Sequence, residues 1–155
     1  MAGKGTPAIV AAERAGISFA VHEYVHDPKA PSYGLEAAEK LGIDAERVFK
    51  TLVADVDGTL TVAIVPVEAQ LDLRALGKRV SMADPRLAER TTGYVTGGIS
   101  PLGQRKQLPT VLDESALAFE TIYLSAGRRG LEIELAPADL LALTGGRALS
   151  IAARR

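Results

Sequence analysis

Between Val48 and Val67 the chain reads as two apolar runs, Val48–Val56 and Thr59–Val67, separated by Asp57-Gly58. Asp-Gly is the two-residue turn that accepts positive φ, so the pattern predicts an antiparallel hairpin. Upstream, Thr6-Pro7 marks a helix start and Gly16 its stop, and the alternation over Phe19–Val25 predicts a strand ending at Asp27-Pro28. A helix over Leu35–Leu41 closes at Gly42. Asp72 and Asp84 cap two short helices, Leu73–Leu76 and Pro85–Arg90, before a strand-like Tyr94–Thr96 and a glycine-rich loop over Gly97–Gly103. Strands follow at Thr110–Leu112, Thr121–Leu124 and Leu131–Leu135. A helix over Ala138–Leu143 and a closing strand over Ala148–Ala152 complete the chain. The pattern predicts an α+β fold: one domain over residues 1–155, a mixed, mainly antiparallel and barrel-like sheet flanked by short helices.

Composition narrows the chemistry. With 155 residues, 47% hydrophobic and 24% charged, the chain supports one packed core and excludes a disordered or collagen-like class. It holds no Cys, so no protein thiol serves as nucleophile, metal ligand or disulfide partner. No run approaches a membrane span and Glu13-Arg14 interrupts any leader-like stretch, so a cytoplasmic location with no membrane partner is expected. The net charge of -1 argues against a generic nucleic-acid coat. That average hides a segregation: residues 74–106 carry 7 basic and 2 acidic groups, residues 1–73 carry 6 and 11, and residues 107–155 carry 5 and 6.

Two short motifs suggest chemistry that their surroundings oppose. His22-Glu23-Tyr24-Val25-His26 fits the zinc pattern H-E-x-x-H, which requires a helix, whereas the flanks predict a strand in which the two histidines stand about 13 Å apart. The expectation is solvated histidines and no metal. Asp55-Val56-Asp57-Gly58-Thr59 matches the D-x-D-G-T nucleophile motif of haloacid dehalogenase phosphatases, but a second strand follows at once and no Asp-Asp pair lies downstream. The hairpin turn accounts for the same residues.

Three segments hold more promise. Lys50 interrupts an apolar strand, where an ammonium either walls a wet cavity or snorkels from an edge. Gly97-Gly98 opens a loop able to bring backbone N–H groups against a ligand, and Ser125–Gly130 joins two strands through a turn whose arginines are solvated or meet phosphates.

At these segments the chain resembles the YbaK family of Cys-tRNA(Pro) deacylases, within the superfamily of prolyl-tRNA synthetase editing domains. The resemblance rests on H-x-Y-x-H-D-P at 22–28, F-K-T-L at 49–52 and M-A-D-P at 82–85. It continues through T-T-G-Y-x-x-G-G-I-S-P-L-G-Q at 91–104 and T-I-Y-x-S-x-G-x-R-G-L at 121–131. It implies trans-editing of Cys-tRNA(Pro), with mischarged tRNA(Pro) and prolyl-tRNA synthetase as partners and no cofactor. It implies catalytic roles for Lys50 and Gly97, with Gly98 as a second oxyanion donor. Tyr24, Ser100, Ser125, Arg128, Arg129 and Glu132 are the implied substrate-binding set; Glu132 replaces a family Asp. The implied chemistry is attack of the substrate's own thiol on its ester. Alternatives are an Ala-tRNA(Pro) deacylase that uses water, the phosphatase, and a non-catalytic module that binds a nucleotide or a synthetase.

Overall fold

The computed structural model describes residues 5–30 and 32–153. Helix α1 spans Pro7–Ala15, capped by the Thr6 hydroxyl and stopped by Gly16, and strand β1 spans Phe19–Glu23. Helix α2 covers Tyr33–Leu41. The expected hairpin is present as β2, Phe49–Val56, against β3, Thr59–Pro66, paired from Phe49 with Pro66 to Val56 with Thr59. Asp57, with φ of 50°, and Gly58 make its turn. Short strands β4, Gln70–Leu71, and β5, Val80–Met82, follow, then helix α3, Pro85–Thr92. The second half holds β6, Thr110–Asp113; β7, Ile122–Arg128; β8, Leu131–Leu135; helix α4, Pro137–Thr144; β9, Arg147–Leu149; and β10, Ala152–Ala153.

The result is an α+β fold with mainly antiparallel sheets. Five strands run in the order β5-β2-β3-β6-β9 and three in the order β1-β8-β7, while β10 pairs with β4. The β3–β6 and β6–β9 pairs are parallel. A parallel bridge between Val48 and Tyr123 joins the two larger sheets. Between them lies the core, where Ile64, Leu112, Leu124, Ile133 and Leu140 are fully buried. Among the described residues no helix is long and apolar enough to cross a membrane.

Several local expectations give way. Tyr94–Thr96 is a turn rather than a strand, because Gly93 ends α3 directly before it and the buried Tyr94 hydroxyl donates to the Leu102 carbonyl at 2.6 Å. Ser125–Arg128 belongs to β7, with a bulge between Ser125 and Arg128, so the connecting turn is only Arg129-Gly130. The single closing strand is two, β9 and β10. The kink at Ile151 is held by Asp113, whose Oδ1 accepts the N–H groups of Ile151 and Ala152 at 3.0 Å each.

One segment pinned by a side chain, not by a ladder, faces β2. After β1 the chain leaves the sheet at Tyr24 and returns through α2. The buried Glu36 carboxylate takes the His26 Nδ1 at 2.7 Å, the Asp27 N–H at 2.6 Å and the Lys40 ammonium at 3.1 Å. Burial alone raises a carboxyl pKa, but here these donors outweigh it and hold Glu36 at about 2.

Two predictions follow from these carboxylates. Asp113→Ala leaves buried N–H groups without an acceptor, and it is expected to cost about 3 kcal/mol in urea unfolding. For Glu36 the folded pKa lies below its ordinary 4.5, so its contribution to stability is complete above that pH and is lost as pH falls towards about 2. Melting temperatures between those limits should therefore fall more steeply for the wild-type chain than for Glu36→Gln.

Candidate active site

A cavity of about 440 Å³ opens between the sheets and the helices. One wall is β2, from Phe49 to Val53. The 24–34 segment contributes Tyr24, Tyr33 and Gly34; the corner between β5 and α3 contributes Met82, Ala83, Pro85 and Ala88. Thr96, Gly97 and Ile99 come from the glycine-rich loop, and Ser125, Arg128, Arg129 and Glu132 from the β7–β8 pair.

The sheet register explains why residues distant in sequence meet here. The parallel bridge from Val48 to Tyr123 brings the start of β2, which carries Lys50, against β7, which carries Ser125. Ser125 pairs with Glu132, which pairs in turn with His22 of β1. Lys50, Ser125 and Glu132 thus reach the same cavity from neighbouring sheets. Lys50 is half-buried, and among the described residues its ammonium has no hydrogen bond or ion pair. Burial lowers its pKa from the usual lysine value. Glu132 is buried, equally without a partner, and burial pushes its carboxyl up to about 8, so it is mostly protonated at neutral pH. Tyr24 is pushed up to about 12, first by burial and then by the carboxylates of Glu132 and Glu36.

The glycine-rich loop is clamped from both sides. Gly97 has φ of 89°, and a Cβ on it would lie 2.6 Å from the Tyr33 ring and the Arg129 guanidinium. Arg129 stacks over the Tyr33 ring at 4.3 Å and donates to the Thr96 carbonyl at 2.5 Å. Gly98 lies against the backbone of Arg128, where a Cβ would approach the Arg128 Cα to 2.9 Å. Its carbonyl accepts the Ser125 hydroxyl at 3.0 Å, and its N–H donates to the Val95 carbonyl at 2.9 Å.

Seven of the nine residues singled out from the sequence therefore line one cavity: Tyr24, Lys50, Gly97, Ser125, Arg128, Arg129 and Glu132. Gly98 and Ser100 do not. The Gly98 N–H is committed to its own turn, which leaves Gly97 as the glycine facing the cavity. Ser100 is fully buried, and its hydroxyl accepts the Leu102 N–H at 3.3 Å, so it braces the loop from inside. The two arginines, expected to be solvated or on phosphates, also have protein partners, for Arg128 pairs with Glu23 at 3.1 Å. Sequence reasoning missed Tyr33 and Thr51. The Thr51 hydroxyl is buried on the cavity wall without a hydrogen-bond partner, and its signal was a lone hydroxyl in an apolar strand, next to Lys50.

The two competing motifs are absorbed by the fold. His22 and His26 diverge to separate carboxylates, Glu134 at 2.9 Å and Glu36 at 2.7 Å, so they are paired and not merely solvated. Asp55 accepts the Gly58 N–H at 2.8 Å, and Asp57 accepts the Arg79 N–H at 2.9 Å. Of the carboxylates of D-x-D-G-T, the first thus closes the hairpin turn and the second fastens it to the residue before β5.

Chemically, the cavity offers one uncommitted ammonium, one protonated carboxyl and extensive apolar wall. Of its hydroxyls, those of Ser125, Ser32, Tyr24 and Thr51 have no side-chain base bonded to them that would activate a nucleophile. Ser125 is engaged with Gly98 and Gly127, Ser32 accepts the Leu35 N–H, and Tyr24 lies 3.5 Å from the Tyr33 carbonyl.

Comparisons with known proteins identify the family. Residues 27–143 match the family described as the aminoacyl-tRNA editing domain. The chain is 47% identical over 116 residues to a protein of Enterococcus faecalis provisionally named Cys-tRNA(Pro)/Cys-tRNA(Cys) deacylase EbsC, covering 71% of each chain. It is 35% identical over 100 residues to a proline–tRNA ligase of Shouchella clausii, covering 61% of this chain and 18% of the ligase. A crystal structure provisionally described as a trans-editing enzyme for prolyl tRNA synthetase superposes with a TM-score of 0.84 at 26% identity, over 96% of both chains. The hypothetical protein APE2540 shares the fold, with a TM-score of 0.83 at 22% identity over 95% of this chain and 99% of its own. Fold, cavity and sequence together place this chain in the aminoacyl-tRNA editing domain family.

Proposed function

We propose that the chain is a trans-editing deacylase that discharges Cys-tRNA(Pro), with the substrate's own thiol as nucleophile. The observation that carries this reading is a cavity with an uncommitted Lys50 ammonium, no cysteine, and two serines whose hydroxyls are engaged with backbone groups. The relative named for Cys-tRNA(Pro) and the ligase with a similar segment support the choice of tRNA(Pro) and of prolyl-tRNA synthetase as partner.

In this mechanism the cysteinyl sulfur attacks the carbonyl carbon of its own ester. The C–O bond to the terminal ribose breaks, a cyclic thiolactone forms, and the thiol proton ends on the departing ribose hydroxyl. Holding sulfur against carbonyl gives an intramolecular reaction a large effective molarity, so the protein can supply orientation instead of a nucleophile. Lys50 takes the carbonyl oxygen or the ribose and phosphate of the tRNA end, and the Gly97 N–H meets the developing oxyanion. Tyr24 and Glu132 line the cavity around the aminoacyl group, and Ser125 keeps the glycine loop in place.

Deacylation of tRNA(Pro) charged in turn with Cys, Ala, Ser and Pro tests the proposal. Cys-tRNA(Pro) should turn over at least about 100-fold faster than Ser-tRNA(Pro), since oxygen is the poorer intramolecular nucleophile. Equal rates would remove the thiol from the mechanism and leave water as the nucleophile. Lys50→Ala should lower the rate for Cys-tRNA(Pro) by about 100-fold or more with an unchanged circular dichroism spectrum.

A further inference from the structure

The seven basic residues of the 74–106 segment form no salt bridge with a carboxylate among the described residues, and all seven are exposed. Four of them gather at one place. Arg86 and Arg90 lie one turn apart on α3, on the side away from the buried Ala88 and Thr92. Arg105 and Lys106 are held at the C-terminal end of the same helix by N–H bonds to the Thr92 and Thr91 carbonyls at 2.8 and 3.1 Å. The Arg105 side chain lies over Gly93, the residue that ends the helix.

Helix energetics explain only part of this placement. Cations at the C-terminal end are favoured by the helix dipole, which accounts for Arg90, Arg105 and Lys106. Arg86 sits in the first turn, at the positive end of the dipole, and four residues from a like charge; both positions are unfavourable. The one acid on the helix, Glu89, accepts the Thr96 N–H at 2.8 Å and lies within the fields of Arg129 and Arg86, so it balances only part of the charge. The N-terminal half of α3 is also cavity wall, through Pro85 and Ala88. Arg86 directly follows Pro85 of the cavity wall and lies in the field of Glu89, which holds the cavity residue Thr96. A cationic band thus starts beside that wall and runs along the outer face of the helix for about 12 Å.

We propose that Arg86 and Arg90, continued by Arg105 and Lys106, are the track that holds the phosphodiester backbone of the strand whose 3′ end enters the cavity. The proposal rests on the cavity being the aminoacyl-ester site. Successive arginines one turn apart stand about 6 Å apart along the axis, a spacing comparable to that of neighbouring phosphates in an extended strand. Met82, Leu87 and Val95, all exposed on the same rim, give unstacked bases apolar surface to rest on.

The test is the salt dependence of binding, measured by fluorescence anisotropy with the full chain and uncharged tRNA(Pro). Each single-strand phosphate neutralised contributes about 0.7 to the slope of log affinity against log salt. The double variant Arg86→Gln, Arg90→Gln should flatten that slope by about 1.4 and raise KM for Cys-tRNA(Pro). Arg147→Gln, which removes a charge on β9 at the other edge of the five-stranded sheet, should leave both at the wild-type values. An unchanged slope in the double variant, or an equal change per charge in Arg147→Gln, overturns the track. So does a loss of affinity confined to an acidic protein partner. If uncharged tRNA(Pro) shows the expected slope change while no charged tRNA is discharged, the track stands and the deacylase reading falls. If discharge occurs with no change in slope or KM, the reverse holds.

Discussion

The pairing of β2 with β3 along eight residues each is the constraint on which the rest depends. Through its other edge β2 carries β5, and through the parallel bridge at Val48 it meets β7. It is therefore the strand from which both larger sheets are positioned. Because side chains alternate along a strand, a shift of one residue in this hairpin would turn Lys50 from the cavity and present a buried residue in its place. Of the two carboxylates at the turn, Asp55 closes the hairpin by accepting the Gly58 N–H, and Asp57 fastens the turn to the strand that follows by accepting the Arg79 N–H. What resembles a phosphatase motif thus holds the end of the strand that carries Lys50.

A fold of this kind shows its local elements in the sequence more clearly than their meeting points. The hairpin, the four α-helices, and β1, β6 and β8 follow from spacing and turn chemistry, which act over a few residues. Other features are tertiary. The bulge in β7 depends on how Gly127 meets Tyr94 and Thr6, and the turn at Tyr94–Thr96 depends on a tyrosine hydroxyl finding a carbonyl across the loop. Among the site residues, Lys50 was legible because charge in an apolar strand is costly. Gly98 and Ser100 were legible as part of a loop, but spacing does not say which glycine of a pair faces a cavity and which faces a neighbouring backbone. Thr51 shows only as a lone hydroxyl in an apolar strand, and Tyr33 carries no anomaly in the sequence, so its surroundings alone single it out.

The cavity also shows how burial tunes side chains in opposite directions. Glu36 and Glu132 are both buried carboxyls, yet one is held at about 2 and the other at about 8. Three donors surround the first, whereas the second has none among the described residues. The first is committed to architecture. The second is left with its hydrogen-bonding capacity unspent, at a wall where Lys50 and Thr51 are in the same condition.

The segment from Tyr24 to Gly34 differs from the other cavity walls in how it is held. Beyond the bond from the Tyr24 N–H to the Gly130 carbonyl at 3.0 Å, its described residues pair with no strand, and it is tied down by the Glu36 carboxylate, by α2 and by the stack of Arg129 on Tyr33. Substitutions there alter the shape of the cavity without disturbing strand register, whereas changes on β2 or β7 risk the sheets themselves. Cavity shape and strand register are therefore borne by separate parts of the chain. A lineage carrying this fold can reshape the cavity through that one wall while the scaffold is inherited intact.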